Sequence, residues 1–370
     1  MSGGSTSAWM RSESQIANAM RALEVTETHA APVRRNWLMA RALDHGPWRA
    51  SDFLPSRLRT ALPELQQSLD SIARLRSRHA DSDGSERLLL ELSDGQTVET
   101  VLLPGDAVCV SSQVGCAVGC TFCMTGRDGL MRQLQVDEIL AQVVVARRIR
   151  PVSKVLFMGM GEPSHNLNAV LQAGEALALE GQFARKKIVF STVGDHRAFA
   201  RLREAEVRPA LALSLHTTDA ALRARLLPRA PRIAPAELVE LALETAGVDR
   251  HPLLVQWTLL AGINDSLDEV PRIAGLLAGR HALLNAIPWN AGGGLPHARP
   301  ERAAAEAFVE ALTQAGVKAS LRWSAAQQVD GGCGQLRARR LFALTDARLL
   351  PGDQLRNVAP MPGNQQQTHQ

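Results

Sequence analysis

The feature that most constrains the fold is a regular alternation of short apolar, β-rich runs with longer amphipathic runs from Ala107 onward. Such alternation predicts parallel βαβ units, whose crossover helices cover the faces of the sheet. Six or so units form either a doubly wound sheet or an open barrel, and in both the chemistry lies at the carboxyl ends of the strands. The predicted strands are 107–112, 154–159, 187–191, 210–214, 253–259, 282–287 and 317–322. The predicted helices are 136–149, 166–180, 196–206, 235–246, 268–278 and 301–315.

The chain before this alternation has a different character. Apolar residues there recur at helical spacing, which predicts a small helical domain. A turn signal, Ser93-Asp94-Gly95, then lies between β-rich runs at 87–92 and 98–103 and predicts a hairpin. The predicted division is 1–20 disordered, 21–85 a small helical N-terminal domain, 86–345 a core with the preceding hairpin, and 346–370 a largely disordered tail.

Composition indicates a globular protein of a reducing compartment. Hydrophobic residues make up 45% of the 370 residues and charged residues 21%, which suffices for a sizeable core. The five cysteines are too few and too unevenly placed for the disulfide framework of a secreted domain. No window reaches the roughly 18 to 20 uncharged apolar residues of a membrane helix. We therefore expect a soluble, cytoplasmic protein with no membrane partner.

The charge balance gives mild support for a polyanionic partner. The formal net charge is +4 and the pI is near 9.0. The locally dense arginines equally suit solvated helix faces, and they are Arg223, Arg225, Arg229 and Arg232, then Arg337, Arg339 and Arg340. Because the chain has no tyrosine and little phenylalanine, an aromatic platform for stacking RNA bases is not expected. Contact with RNA would be electrostatic and shape-based.

Three cysteines, Cys116, Cys120 and Cys123, stand at CxxxCxxC spacing in the loop after the first core strand. Three thiolates can bind three irons of a [4Fe–4S] cluster and leave the fourth iron open to an external ligand. Zinc is the competing interpretation, but a structural zinc site needs four ligands in paired CxxC units, and the sequence has no second pair. The spacing therefore favours a cluster and a radical S-adenosylmethionine (SAM) enzyme.

Polar or glycine-rich segments follow the next strands. The run MGMGEP at 158–163 ends one of them, and it would be an ordinary turn if it stood alone. One βα unit after the cysteines, it resembles the GGEP-type motif with which radical SAM enzymes hold the methionyl amino group, which makes Gly161 and Glu162 cofactor candidates. Ser191 and Ser214 end the two following strands, where a lone serine is usually a turn or cap residue.

Several motifs together resemble the RlmN/Cfr family of radical SAM RNA methyltransferases, from about residue 85 to residue 336. They are CVSSQVGC at 109–116, MGMGEP at 158–163, SLH at 214–216, GIND at 262–265, NAIPWN at 285–290 and GCGQL at 332–336. All five cysteines fall on the family's five functional cysteines. The resemblance implies an open (β/α)6-type partial barrel, one [4Fe–4S] cluster and SAM.

The resemblance also implies a mechanism for methylating a ring carbon of adenine, C2 rather than C8. Such a carbon is a poor nucleophile, so a radical route is needed. Cys333 would carry the methyl group as S-methylcysteine, and Cys109 would resolve the protein–RNA adduct by a transient disulfide with Cys333. Glu99 would accept the ring proton. Judged from the residues alone, Cys109 reads as a core cysteine and Glu99 as an exposed strand carboxylate, whereas Cys333 lies in a flexible glycine loop that suits a reactive thiol.

The implied ligands and partners complete the prediction. By the resemblance, Cys116, Cys120 and Cys123 bind the cluster, the substrate is 23S rRNA with tRNA as a possible second target, and flavodoxin or ferredoxin supplies electrons. The residues implied in SAM binding are Gly161, Glu162, Ser191, Ser214, Leu215, His216 and Asn290.

The segment before Cys333 departs from the family. The family usually has a basic run of the form RGxDIxAA there, whereas this chain has SAAQQVDGG at 324–332. This difference leaves another RNA open as the target. Two other classes also stay open. One is a radical SAM enzyme acting on a peptide, such as a glycyl-radical activase, which would have no use for Cys109 and Cys333. The other is a zinc-stabilised RNA-binding protein without catalysis.

Overall fold

The computed structural model describes residues 14–46, 49–291 and 294–337, and these contain one large sheet of ten strands. Its strands are β1 (Ala73–Ala80), β2 (Glu86–Leu92), β3 (Thr97–Leu102), β4 (Ala107–Cys109), β7 (Lys154–Phe157), β8 (Ile188–Thr192), β9 (Ala210–Ser214), β10 (Leu253–Leu259), β11 (Ala282–Pro288) and β12 (Ala319–Leu321). They lie side by side in that order. The remaining two strands, β5 (Gln113–Gly115) and β6 (Leu130–Gln133), form a small antiparallel sheet of their own.

The seven strands from β4 to β12 are parallel, as the alternation predicts. The helices of this region are α5 (Val136–Ile149), α6 (Leu167–Leu179), α7 (His196–Glu204), α8 (Ala220–Leu226), α9 (Pro235–Gly247), α10 (Glu269–Leu277) and α11 (Arg302–Gln314). Local sequence sets several of their starts. Asp195 and Asp219 cap α7 and α8 by accepting backbone N–H bonds, and Pro235 occupies the first position of α9. Of these seven helices, the short α8 was not predicted.

The parallel strands curve so that their carboxyl ends surround one cavity, which side chains from the ends of β7, β8, β9, β10 and β11 line together. Six βα crossovers separate the seven parallel strands. The prediction of an open (β/α)6-type partial barrel is therefore confirmed. In the described part of the chain no helix is long and apolar enough to cross a membrane.

The N-terminal region begins with helices α1 (Gln15–Ala22), α2 (Glu27–Leu38), α3 (Ala50–Phe53) and α4 (Ser56–Ile72). Leu58, Leu62, Leu65 and Leu69 of α4 are buried at helical spacing. The prediction of disorder over 1–20 is wrong for residues 14–20, because Ser14 caps α1 and Ile16 and Met20 enter the core. Residues 1–13, 338–345 and the tail 346–370, about which predictions were also made, lie outside the described residues.

The predicted helical segment also ends earlier than residue 85. Residues 73–80 form β1, an antiparallel partner of β2, with side chains that are largely exposed. This polar edge strand has too few apolar residues to show a period of two, so its sequence resembles the end of a helix. The hairpin of β2 and β3 is as predicted, and β3 pairs with β4 through Val101 and Cys109. The sheet therefore joins the hairpin directly to the barrel.

Candidate active site

The cavity at the carboxyl ends of the strands gathers most of the predicted site residues. Its walls include Cys116, Cys120, Cys123, Gly161, Glu162, Ser191, Ser214, His216 and Cys333. These residues come from distant parts of the sequence, and the barrel brings them together at one mouth. Glu99, Cys109, Leu215 and Asn290 lie outside this lining, and their positions are described below.

The cysteine loop follows β5, and its position depends on one glycine. Gly115 has φ +78°, and a Cβ added there would overlap the carbonyl oxygen of Gly129. The next residue, Cys116, donates its N–H to that same oxygen at 3.0 Å. The small sheet of β5 and β6 thereby fixes where the loop leaves the barrel.

Four other contacts hold the loop. Thr121 donates its N–H to the Leu226 carbonyl at 2.9 Å, and the Trp289 indole donates to the Phe122 carbonyl at 2.9 Å. Arg229 donates its N–H to the Val118 carbonyl at 3.2 Å, and Met124 donates to the Gly334 carbonyl at 2.7 Å. The last contact joins the loop to the segment that carries Cys333.

The three thiols lie close enough to influence one another. Burial raises the pKa of the Cys116 thiol to about 12. Burial also raises the pKa of Cys120, and the nearby Cys123 and Cys116 raise it further because a second negative charge there would be unfavourable. These shifts favour neutral thiols, so binding of a metal group must release their protons.

The arrangement of these thiols bears on which metal group they fit. Within the described ranges, no set of three or more His, Cys, Asp or Glu side chains is grouped tightly enough for a single metal ion. A structural zinc ion needs its four ligands around one point. An iron–sulfur cluster places each thiolate on a different iron, so its cysteines stand farther apart. The three cysteines face one cavity, so each thiolate could bind a different iron of one cluster.

The turn after β7 brings Glu162 into the cavity wall. Gly161 has φ +104°, and an added Cβ would meet the Gln113 side chain at 2.7 Å, so the turn requires glycine. The Glu162 carboxylate is buried and accepts backbone N–H bonds from Ser164 and Val193, both at 3.0 Å. It thus ties the end of β7 to the end of β8. Each oxygen keeps a further lone pair that could accept a bond from a bound ammonium group.

His216 follows β9 in the left-handed region, with φ +63°. Its Nδ1 accepts the Thr258 N–H at 3.0 Å, and its carbonyl accepts a bond from the Asn264 side chain at 2.7 Å. Burial lowers the pKa of His216 to about 3, and the charge of Arg223 contributes. The ring is therefore neutral and carries its proton on Nε2. Leu215 buries its side chain in the core, so only its backbone is available to the cavity.

Cys333 lines the same cavity, and its side chain is exposed although residues 331, 332, 335 and 336 around it are buried. The pKa of its thiol is raised because surrounding protein displaces water, while a hydrogen bond from the Ser324 hydroxyl lowers it. The pKa of Cys109, at the end of β4, is also raised, first by burial and then by the charge of Cys333. Cys333 is therefore near enough for its charge to act on Cys109, although about 220 residues separate them in the sequence.

Asn290 lies just after the end of β11 and is bonded to the segment that carries Cys333. Its Nδ2 donates to the Ser324 hydroxyl at 2.8 Å and to the Cys333 carbonyl at 3.1 Å. Its Oδ1 accepts from Arg299 at 2.7 Å. The amide thus holds the segment that carries Cys333. Contact between Asn290 and SAM remains a prediction.

The interpretation of Glu99 as an exposed strand carboxylate is wrong. The residue is 0% exposed, and its carboxylate forms a buried salt bridge with Arg87. Its other oxygen accepts the Arg337 N–H at 2.8 Å. Because β2 and β3 pair Leu89 with Glu99, Arg87 lies two residues along the neighbouring strand on the same face. A known register would have revealed this pair, but the sequence alone does not fix it.

Sequence reasoning also missed Arg223. It stands in an arginine-rich stretch that suits a solvated helix face, and Arg225, Arg229 and Arg232 are indeed exposed. Arg223 itself is buried and reaches the cavity wall, where it donates to the Val193 carbonyl at 2.6 Å. Arg223 stands four residues after the Asp219 cap, on the buried side of α8. This spacing is the one signal in the sequence that could have identified Arg223 as buried.

Comparison with known proteins agrees with this site. The model of the radical SAM superfamily matches residues 110–274. A radical SAM methyltransferase of known structure from Sphaerobacter thermophilus aligns with a TM-score of 0.76 and 32% identity, over 86% of this chain and 96% of that one. The fold and the three-cysteine cavity therefore define a radical SAM enzyme.

Curated relatives indicate which kind of radical SAM enzyme this chain resembles. A probable RNA methyltransferase of Thiobacillus denitrificans is 60% identical over 85% of this chain and 87% of its own length. Another, from Leptothrix cholodnii, is 54% identical over 94% of this chain and 99% of its own length. The chain belongs to the RlmN/Cfr-type family of radical SAM methyltransferases.

Proposed function

We propose that this enzyme methylates a ring carbon of adenine, C2 rather than C8, in 23S rRNA, and that tRNA is a further possible substrate. The observation that carries the proposal is the proximity of Cys333 and Cys109 beside a cavity lined by three further cysteines. A radical SAM enzyme that acts on a peptide needs the three cavity cysteines but has no role for this second pair. The relatives described as probable RNA methyltransferases support RNA as the substrate class.

Cys116, Cys120 and Cys123 would hold one [4Fe–4S] cluster, with SAM in the adjoining cavity. When bound, the cluster would supply the electron that cleaves SAM to a 5′-deoxyadenosyl radical, and flavodoxin or ferredoxin would be the electron donor. Glu162 would accept a hydrogen bond from the methionyl ammonium group. Ser191, Ser214, Asn290, the backbone of Gly161 and Leu215 and the Nε2–H of His216 would orient the rest of the molecule.

Cys333 and Cys109 would act in sequence on the methyl group. Cys333 would receive a methyl group on its sulfur, lose one hydrogen atom of that group to the 5′-deoxyadenosyl radical, and become joined through the carbon to the adenine ring, whose odd electron would return to the cluster. The thiolate of Cys109 would then attack the sulfur of Cys333, so that a disulfide forms and the carbon–sulfur bond breaks. The carbon would keep the electron pair of that bond and take up a proton to become the methyl group of the product. The disulfide must be reduced before the next turnover. Their proximity supports this exchange, which needs direct sulfur-to-sulfur approach.

Glu99 would accept the proton that leaves the adenine ring. Its carboxylate is held in place by the buried salt bridge with Arg87. Glu99 is 0% exposed and the Arg337 N–H lies against one of its oxygens, so the segment near residue 337 must move before an adenine can reach the carboxylate. Catalytic hydrogen bonds are often incomplete before substrate binds.

RNA would reach the cavity over a basic surface. Arg225, Arg229 and Arg232 are exposed, and Arg229 also donates from its side chain to the Ala117 carbonyl at 3.2 Å, directly beside the cysteine loop. Phosphate contacts by such residues make binding salt-dependent. The segment 324–332 lies at the same mouth and differs from the usual family sequence, so it is the part that would select the RNA.

Mass spectrometry of nucleosides tests the proposal. Anaerobically reconstituted full-length enzyme is incubated with RNA and methyl-labelled SAM, and the RNA is then digested. We expect a labelled methyladenosine from the wild type and none from Cys333→Ala. Normal product from that variant would exclude a methyl group carried on Cys333. Protein that binds about one zinc with no iron or sulfide would instead support the non-catalytic alternative.

A further inference from the structure

Arg223 is a buried cation in the wall between the cavity and helix α8. Its side chain donates from Nη2 to the carbonyl oxygens of Val193 at 2.6 Å and Ser214 at 3.3 Å. Both carbonyls stand at the carboxyl ends of strands that line the cavity. The residue is 4% exposed, and within the described part of the chain its Nε has no hydrogen-bond partner.

A cation in this position is unfavourable unless a negative charge compensates it. Burial lowers the pKa of Arg223 to about 10, which reflects that cost. The negative groups that oppose the effect are Cys120 and Glu162. The oxygens of Glu162 already accept the N–H groups of Ser164 and Val193, so its carboxylate acts on Arg223 through space. Cys120 is one of the three cavity thiols, and its loop is held directly by the helix of Arg223, because the Leu226 carbonyl of α8 accepts the Thr121 N–H at 2.9 Å.

We propose that Arg223 is the counter-ion of the iron–sulfur cluster and that it raises the reduction potential of that cluster. The inference rests on the proposed function, since it assumes that Cys116, Cys120 and Cys123 hold a [4Fe–4S] group. Arg223 does not touch the iron, and it is a positioning residue that acts through its charge.

The charge balance gives the direction of the effect. The core of an oxidised [4Fe–4S] cluster carries two positive charges, so three thiolates leave a net charge of minus one, and reduction by one electron makes it minus two. A fixed cation nearby stabilises the second state more than the first, because the attraction scales with the product of the charges. Arg223 therefore makes transfer of the electron to the site more favourable.

A second buried arginine serves as a control that distinguishes the effect of charge near the cysteines from the effect of lost packing. Arg147, on α5, also donates to backbone carbonyls, those of Leu38 at 2.6 Å and Gly181 at 2.8 Å, and burial lowers the pKa of Arg147 to about 10 as well. It also contacts the carbonyl of Val152, just before β7 begins, whereas the cavity lies beyond the end of that strand. Loss of either arginine removes carbonyl contacts, but only Arg223 is near the cysteines.

The experiment measures the midpoint potential of the cluster in reconstituted full-length enzyme without RNA or SAM. Electron paramagnetic resonance follows the reduced cluster as the applied potential is varied. In Arg223→Met we expect the equilibrium constant for reduction to fall by about tenfold, which is a shift of about 59 mV to more negative potential. Arg223→Lys keeps the charge and should recover most of the shift. Arg147→Met should lower the melting temperature and leave the potential unchanged.

An unchanged potential in Arg223→Met, or an equal shift in Arg147→Met, overturns the inference while the proposed function stands. If Arg223→Met holds no cluster, the iron and sulfide contents of Arg223→Lys and Arg223→Gln decide. Retention in the lysine variant and loss in the glutamine variant supports the counter-ion role, and equal contents contradict it. A wild-type protein that takes up no iron or sulfide overturns the cofactor assignment, and this inference with it.

Discussion

The carboxylate of Glu99 accepts the backbone N–H of Arg337 at 2.8 Å, and this bond joins strand β3 to the segment that carries Cys333. The other oxygen of Glu99 binds Arg87, which also donates from Nε to the Val329 carbonyl. The proposed proton acceptor and the proposed methyl carrier therefore belong to one connected unit. Entry of an adenine at Glu99 must displace the backbone near residue 337, so RNA binding and the position of this segment are coupled.

The ion pair of Glu99 and Arg87 makes a first prediction. Glu99→Gln leaves the buried Arg87 without its negative partner, and we expect a loss of about 3–5 kcal/mol in the free energy of unfolding. The double variant Glu99→Gln with Arg87→Met removes the unpaired charge and should regain much of that loss. Urea unfolding of the wild type, Glu99→Gln and the double variant measures the effect. Equal stability of the wild type and Glu99→Gln would show that the pair is not buried as described.

The neighbouring thiols make a second prediction. Without the Cys109 sulfur, the bond between Cys333 and the modified base cannot be broken by disulfide exchange. We expect Cys109→Ala to accumulate a covalent protein–RNA adduct, visible as a slow band on a denaturing gel that nuclease removes. The control is Cys109→Ala with Cys333→Ala, which should give no such band. An adduct in that double variant would place the attachment on another residue.

The glycine before the cysteine loop makes a third prediction. Gly115→Ala would force a Cβ onto the Gly129 carbonyl and displace Cys116, so we expect most of the bound iron and sulfide to be lost. Gly95→Ala is the matched control, because Gly95 has a similar φ of +81° but open space around it. It should cost only about 1 kcal/mol of backbone strain. Iron and sulfide contents, with melting temperatures, distinguish the two variants.

Asp137, on α5, makes a prediction about pH. Burial raises its pKa to about 6, although its carboxylate accepts the N–H of Gln15 at the start of α1. Between its unfolded pKa near 4 and pH 6, the folded state holds a proton that the unfolded state has released. Stability should therefore fall as the pH rises through this window, by about 1.4 kcal/mol per pH unit, and stay lower above it.

Asp137→Asn removes this ionisation. The stability of the variant relative to the wild type should thus increase from pH 4 to pH 6 and then level off. Unfolding in urea at pH 4, 5, 6 and 7.5 measures the difference, in which the contributions of other carboxyl groups cancel. A difference that does not vary with pH would mean that Asp137 titrates alike in the folded and unfolded states.

The parallel core could be predicted closely because its signals are local. Strands β9 and β10 and helix α5 have the predicted bounds, since apolar periodicity and turn residues mark each of them. Strand β1 was missed because its own sequence lacks the alternation of apolar and polar residues that marks a strand. Its extended conformation depends on pairing with β2. The cavity cysteines were found through their spacing, which is also local.

Other features of the site depend on contacts between distant segments. The burial of Glu99 arises from pairing with Arg87 and from a segment more than 200 residues away. The amide of Asn290 is bonded to Ser324, Cys333 and Arg299, and its sequence motif gives no sign of these partners. Arg223 looks like the exposed arginines around it in the sequence, but its side chain lies on the buried face of α8. Pairings of this kind become visible only when the chain is folded.

The anchors of the Cys333 segment lie mostly outside the part that departs from the family. Gln335 donates to the Ala291 carbonyl at 2.9 Å, Thr125 donates to the Leu336 carbonyl at 2.6 Å, and Asn290 holds the Cys333 carbonyl. These three bonds do not involve residues 325–331, so they can persist when side chains in that stretch differ. An enzyme built in this way can acquire a new target during evolution while its chemistry stays intact, because recognition and reaction are attached to the fold at different points.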